Sequence, residues 1–267
     1  MADVYSLGVP GAKPSGNLLN VHAPWNREVI GHVENADVQM VDRALQTAKA
    51  VYDDRRQHLG IEQRVTILNR TAELLGAKAE YFALEAAREG GKPLIDSRVE
   101  VTRAIEGIKL CAESIRHAAG QEIPMGLNAA SSGRLAFTRK EPIGVVLAYS
   151  AFNHPLNLIV HQVGPAIAAG CPVVVKPAKA TPITGIRFVR LLHEAGLPPE
   201  WCQVLVTDNT DLTARTVSDP RVGFFSFIGS GDVGWALRSK LAPGVRCTLE
   251  HGGSAPVIVA ADADLDD

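Results

Sequence analysis

The sequence predicts an α/β protein: a doubly wound, mostly parallel sheet with a helical section before it and a β-hairpin arm between the two. Three observations carry this. After residue 142, short runs rich in β-branched residues alternate with helical patterns, which is how βαβ units read in sequence. These runs are apolar on both faces, as strands are when helices cover both sides of a parallel sheet. Before residue 120 the apolar residues instead recur every three or four positions, the period of amphipathic helices.

Composition bounds the function. The chain has 267 residues, with 27 Lys plus Arg against 29 Asp plus Glu and a formal net charge of -2. That balance argues against a nucleic-acid or anionic-membrane binder, which carries a basic surplus or patch. A 46% hydrophobic and 21% charged composition is that of a globular chain able to bury a core without disulfides or metal. Cys111, Cys171, Cys202 and Cys247 are far apart, with no CxxC and no His at ligand spacing. A reducing cytosol fits that usage, and the first residues show no secretory pattern.

In order along the chain, residues 18–22 and 28–33 predict two short strands around Pro24-Trp25-Asn26. Helices are expected from Ala36 to about Asp54, from Ile61 to about Leu75 and from Glu80 to about Ala87. A longer one starts near Ser97, where Ser97-x-x-Glu100 reads as a capping box. Residues 120–141 form a strand-turn-strand candidate with residues 129–133 at the tip.

Pro142 to Val175 then holds 34 residues without one Asp, Glu, Lys or Arg. About 20 apolar residues suffice to span a bilayer, but Ser150, Asn153, His154, Asn157, His161, Gln162 and the Gly164-Pro165 pair interrupt this stretch. It reads instead as a buried strand (143–149), a helix carrying Leu156, Ile159, Val160, Val163 and Ile167, and a second strand (172–175). Pro155 suits a first helical turn, and Gly170 is a natural stop. Further elements follow: a helix near 183–195, a strand at 202–206, a short helix at 210–217, a strand at 223–228 and a helix at 231–242. Two last strands are expected at 246–249 and 256–260.

Ligands on such sheets bind beyond the carboxyl ends of the strands, so the polar residues there are the functional candidates. Gly229-Ser230-Gly231-Asp232-Val233-Gly234 follows a strand and opens a helix. It fits a phosphate-binding turn as well as a structural tight turn. Lys176 at a buried strand end needs a partner or ligand, or snorkels to solvent. Asn153 is either an oxyanion donor or a turn residue ahead of a helix. Glu250 is either a general base or a solvated strand-end carboxylate.

The order of these signals is more specific than any one of them. Glu141-Pro-Ile-Gly-Val-Val146, Phe152-Asn-His-Pro-Leu156, Gly164-Pro-Ala-Ile-Ala-Ala-Gly170, Val174-Val-Lys-Pro177, Phe227-Ile-Gly-Ser230, Leu249-Glu-His-Gly-Gly253 and Ala263-Asp-Leu-Asp266 occur in sequence. The chain thereby resembles the NAD(P)-dependent aldehyde dehydrogenase superfamily over essentially its whole length. The resemblance implies a Rossmann-like coenzyme-binding domain over residues 1–267, interrupted by an oligomerisation hairpin at 120–141. It implies that Asn153 holds the substrate oxyanion and that Glu250 activates water. It places Lys176 on the adenosine ribose, Gly229 and Ser230 on the pyrophosphate, and Gly234 where a helix packs close to the sheet. Ser150, Ala151, Phe152, Ala178, Lys179, Val233, His251 and Gly252 complete the implied cofactor site. A dinucleotide, an aldehyde and a homo-oligomeric partner are implied with them.

Several positions depart from the family pattern. Many NAD-preferring members carry an acid two residues after Lys-Pro; here Lys179 stands there, a cation suited to a 2′-phosphate. NADP, or both coenzymes, is therefore expected. Ile228, His251 and Ser254 replace the usual Thr, Leu and Lys. The family's nucleophilic cysteine lies a few dozen residues beyond Leu-Glu-x-Gly-Gly, in a separate catalytic domain, and this chain ends 17 residues after Glu250. None of its four cysteines has that context. The expectation is a cofactor-binding part that does not oxidise aldehydes alone; the rival is a non-catalytic nucleotide-binding or interaction subunit that joins full-length relatives.

Overall fold

A computed structural model describes residues 3–264. Leu265 and Asp266 of the last family-like motif lie outside the described residues. The chain opens with a small sheet in which β1 (Val4–Tyr5) runs parallel to β3 (Val29–Glu34), and β3 pairs antiparallel with β2 (Leu18–His22). The sequence patterns gave no sign of β1, which is only two residues long.

Four helices follow: α1 (Val38–Asp53), α2 (Ile61–Ala77), α3 (Ala79–Gly90) and α4 (Leu94–Arg116). Asp37 caps α1, its carboxylate accepting from the Met40 N–H at 2.8 Å, the usual way to satisfy one of the free first-turn amides. In α4 the residues Val101, Ala104, Ile108, Ala112 and Ile115 form the buried face. The expected hairpin is present but reduced to two-residue strands, β4 (Glu122–Ile123) and β5 (Ala136–Phe137). Leu127, Leu135 and Phe137 on it are 84%, 77% and 71% exposed, so the arm contributes nothing to this chain's core.

The rest is the sheet. β6 (Val145–Tyr149), β7 (Val173–Lys176), β8 (Cys202–Val204), β9 (Val222–Gly229) and β10 (Arg246–His251) are all parallel, in the order β10-β9-β6-β7-β8. The chain builds outward from β6 to β7 and β8, then crosses back to β9 and β10. The strand order therefore reverses beside β6, between it and β9. The crossovers carry α5 (Asn157–Ala169), α6 (Pro182–Glu194), α7 (Thr210–Val217) and α8 (Gly231–Arg238). Gly170 ends α5 in the left-handed conformation at φ 80°, which costs glycine no side-chain clash. One continuous core joins the helical section to the sheet, anchored by Trp201, Phe82, Phe188 and Phe225.

Three expectations are corrected. Ser97 does not cap α4. The helix begins at Leu94 behind Pro93, whose φ of -55° is already helical, and Ser97 is fully buried one turn inside. Residues 256–260 form no strand; Val257, Ile258 and Val259 are 87%, 91% and 63% exposed. Their β-branched composition suits a strand, but propensity without a ladder partner does not make one. Finally, α8 stops at Arg238, not 242, releasing the chain ahead of the Ala242-Pro243-Gly244 turn. Among the described residues, no helix is long and apolar enough to cross a membrane.

Neither α5 nor α6 has a side-chain cap at its own first residue. Each is capped from a distance. The Glu100 carboxylate, on α4, accepts from the N–H groups of Leu156 and Asn157 at 2.8 and 2.9 Å. Glu89, at the end of α3, accepts from those of Ile183 and Thr184 at 2.8 and 2.9 Å. Both carboxylates are 1% exposed. One carboxylate from α3 and one from α4 thus close the positive ends of two sheet helices.

Candidate coenzyme site

Because all five strands are parallel, their carboxyl ends share one edge of the sheet. Tyr149 is in register with Lys176 on one side and Phe227 on the other, and Glu250 is in register with Ile228. Asn153, Lys176, Gly229-Ser230 and Glu250 therefore line up across four adjacent strands. At ~4.8 Å per strand, the row is about 15 Å long. The Ser150 N–H donates to the Lys176 carbonyl at 3.0 Å, and the Thr181 hydroxyl donates to the Phe152 carbonyl at 3.4 Å. These bonds stitch the loop after β6 to the loop after β7.

The open helix end on this edge is that of α8. Its N-cap, Ser230, makes no side-chain cap bond. The Gly234 N–H donates back to the Ser230 carbonyl at 3.0 Å, which leaves the amides of Gly231, Asp232 and Val233 without helical acceptors. The helix sits low on the sheet. A Cβ at Gly234 would run into the His251 ring and come within 2.9 Å of Phe227, and one at Gly229 would lie 2.6 Å from Phe227. Glycine at both places is what lets the backbone close onto the Phe227 and His251 rings here. Val233 is exposed on the outer side of this turn, as is Gly252 beyond β10.

Lys176 ends β7 with its ammonium 5.4 Å from the Tyr149 ring centroid, and among the described residues no carboxylate pairs with it. Desolvation lowers its pKa, and the nearby Lys179 charge lowers it further. Such an ammonium gains from an incoming anion or hydroxyl pair. Lys179 is exposed and Ala178 half-buried beside it. Ser150 is buried with its hydroxyl unpartnered, Ala151 is half-buried and Phe152 is 61% exposed.

The two candidate reaction residues are both exposed. Asn153 lies in the bend between β6 and α5, its side chain making no hydrogen bond among the described residues. Glu250 is on β10, where Arg246, Thr248 and Glu250 face outward while Cys247, Leu249 and His251 are half-buried. Cys247 thus faces away from Glu250, as their odd separation requires. The His251 ring packs beneath α8, 5.5 Å from Trp235 and 6.3 Å from Phe227 between ring centroids, and its Nε2 has no hydrogen-bond partner among the described residues. Burial pushes the Cys111 thiol up to about 11, and raises Cys171 and Cys202 as well.

Sequence reasoning gave none of three residues that shape this edge its role there. Glu89 and Glu100 hold the helices behind the loops, and Gln162 locks the point where strand order reverses. From α5 its amide reaches the Tyr149 carbonyl on β6 at 3.0 Å and the Ser226 carbonyl on β9 at 3.1 Å. Each carried a signal: a polar side chain on a helix face otherwise apolar. A hollow of about 520 Å³ exists elsewhere, lined by Ile143, Pro220, Gly223, Pro243 and Arg246. It lies at the amino ends of the strands, away from the row of residues at their carboxyl ends.

Comparison with known proteins agrees with this geometry. The sequence model described as the aldehyde dehydrogenase family matches residues 12–267. A 3-sulfolactaldehyde dehydrogenase of Priestia aryabhattai is 36% identical over 264 residues, 98% of this chain and 54% of that protein. Aldehyde dehydrogenase 21 from Physcomitrella patens, solved with the reaction product succinate, superposes with a TM-score of 0.90 at 30% identity, covering 96% of this chain and 53% of that one. An NADP-dependent glyceraldehyde-3-phosphate dehydrogenase from Bacillus halodurans, solved with NADP, gives 0.86 at 29% identity, covering 98% and 53%. The chain spans about half the length of the curated relatives it matches. With the strand order, the open helix end and the aligned row of strand-end residues in place, this chain belongs to the aldehyde dehydrogenase family.

Proposed function

We propose that this chain is the coenzyme-binding part of an NAD(P)-dependent aldehyde dehydrogenase, taking NADP in preference to NAD or using both. The observation that carries the reading is the open N-terminus of α8, three amides without an acceptor among the described residues at the carboxyl end of β9, with glycines on either side. Amides and dipole there favour a phosphate. The unpaired Lys176, two strands away, suits a ribose, and Lys179 a 2′-phosphate. The bound nicotinamide supplies hydride acceptance. The Asn153 amide donates to the substrate oxygen as charge develops on it, and Glu250 takes a proton from the attacking water. Covalent capture of the aldehyde needs a thiolate. Cys111, Cys171 and Cys202 are thiols raised by burial, and Cys247 points away from Glu250, so this chain is expected not to turn over aldehydes alone.

Fluorescence titration tests the coenzyme claim: binding of NADP at least as tight as NAD supports it, and no binding of either, or tenfold tighter NAD, counts against it. A second reading, an interaction subunit that joins full-length relatives, draws on the exposed Leu127, Leu135 and Phe137 of the hairpin and Val257 to Val259, an apolar surface of the kind that associates. Light scattering at high concentration discriminates. Self-association, or co-purification with a relative, favours assembly through these surfaces; a clean monomer opposes it.

A further inference from the structure

The buried ion pair behind the Asn153 loop has no part in the reading above. Lys92 lies in the turn between α3 and α4, its side chain 14% exposed, and pairs with the Glu100 carboxylate, whose side chain is fully buried. The same ammonium reaches the Asn153 carbonyl at 3.4 Å and His154 Nδ1 at 3.1 Å. Three protons thus meet three acceptors. Meanwhile the other Glu100 oxygen holds the Leu156 and Asn157 amides.

We propose that Lys92 is a positioning residue for the Asn153 loop, a three-pronged anchor that fixes the peptide at 153–154 and thereby the direction in which the Asn153 amide projects.

The argument rests on saturation and burial. A carboxylate taken out of water needs a counter-charge as well as amide donors, and Lys92 is the cation that reaches it. Once seated there, the ammonium has two protons left for the loop, and both are used. An exposed bend would otherwise sample many backbone states at small cost; here its carbonyl and the neighbouring ring are tied to a buried pair. The contact to Nδ1 also sets the neutral imidazole tautomer: Nδ1 accepts, so the proton sits on Nε2. The relevance of this to coenzyme and substrate rests on the proposed function, whereas the anchoring itself does not.

The test uses the chain as it stands. In the unsubstituted protein, nitrogen chemical shifts of the His154 ring should show an unprotonated Nδ1 and a protonated Nε2; the opposite tautomer overturns the proposal without any variant. Lys92→Met keeps the length and removes the donors. Backbone nitrogen order parameters at residues 152–154 should then fall from about 0.85 to below about 0.6 while those of β6 and β9 stay unchanged, and dinucleotide affinity should fall about tenfold with binding of adenosine 2′,5′-bisphosphate unchanged. If Lys92→Met does not fold, His154→Ala removes one prong and leaves the ion pair, and lower order parameters confined to 152–154 are expected again. Unchanged order parameters in the folded variant overturn the anchor. A chain that binds no dinucleotide even unsubstituted refutes the coenzyme reading alone, because the order parameters and the tautomer still report on the loop.

Discussion

The helix N-termini at the carboxyl edge of the sheet are not treated alike. Those of α5 and α6 are plugged by Glu100 and Glu89, each carboxylate buried and each accepting two amides. That of α8 is left with free amides, no cap and glycines around it. The difference separates scaffold from site. A buried amide must have an acceptor, so where the protein fills the position itself the end is structural. Where the end is held open to solvent and cleared of Cβ atoms, an outside anion can take the position.

The largest expected effect lies at the closed end of α5. Glu100→Ala removes the one oxygen that accepts from two amides and strands the Lys92 ammonium in a nearly buried place, which costs about 3–5 kcal/mol. Urea unfolding measures it. A loss below ~1 kcal/mol would mean that the α5 terminus does not depend on this cap, and the contrast with α8 would collapse.

Next is the pH response of the closed end of α6. Burial pushes the Glu89 carboxyl up to about 8, against the opposing pull of its hydrogen bonds to Thr184 and Ile183. The unfolded chain gives up this proton in the ordinary carboxyl range and the folded chain holds it longer. The folded state therefore binds more protons between those values, and stability falls as pH climbs toward 8. From pH 6 to pH 8 the decline is about 2–3 kcal/mol at ~1.4 kcal/mol per unit. Glu89→Gln should flatten that slope; a slope that persists in the variant assigns the proton elsewhere.

At the open end, Gly234→Ala places a methyl against the His251 ring and Phe227. Overpacking of this kind costs roughly 1–3 kcal/mol, and it lifts α8 from the sheet, so coenzyme binding should weaken along with stability. A variant as stable as the parent that binds coenzyme equally well would show that the close approach of α8 has no role.

The same contrast explains what was readable in the sequence. The parallel sheet was legible because β6, β7 and β9 are apolar runs of strand length separated by helical periods, whereas the glycine turn after β9 read equally as a phosphate site or a structural tight turn, because an open helix end is not visible in the residues alone. Glu100 was noticed for the right chemistry and given to the wrong helix. A local pattern, Ser97-x-x-Glu100, describes a cap within one helix, while the real cap spans 56 residues of chain. Glu89 stands out as a charge on an apolar helix face, but its partner is hidden for the same reason, since no window of sequence contains both a carboxylate on α3 and the start of α6. The 256–260 segment failed in the opposite direction: its composition favours a strand, but pairing is a tertiary fact.

The smallest predicted effect bears on which anion the open edge prefers. Lys179 is exposed, and its charge already depresses Lys176, so the β7 end presents two like charges with no acid between them. Lys179→Glu reverses this. The new carboxylate would sit near Lys176, relieve that repulsion and favour ribose hydroxyls as donors, while opposing a 2′-phosphate. The ratio of NADP to NAD affinity should drop about tenfold, ~1.4 kcal/mol, without change in the urea midpoint. Because Lys179 is in solvent, its share should shrink as salt rises, so titrations at low and high ionic strength should converge for the parent chain. A ratio that ignores both the substitution and the salt would place 2′-phosphate recognition away from Lys179, leaving Lys176 and the α8 terminus as the positive groups on this edge.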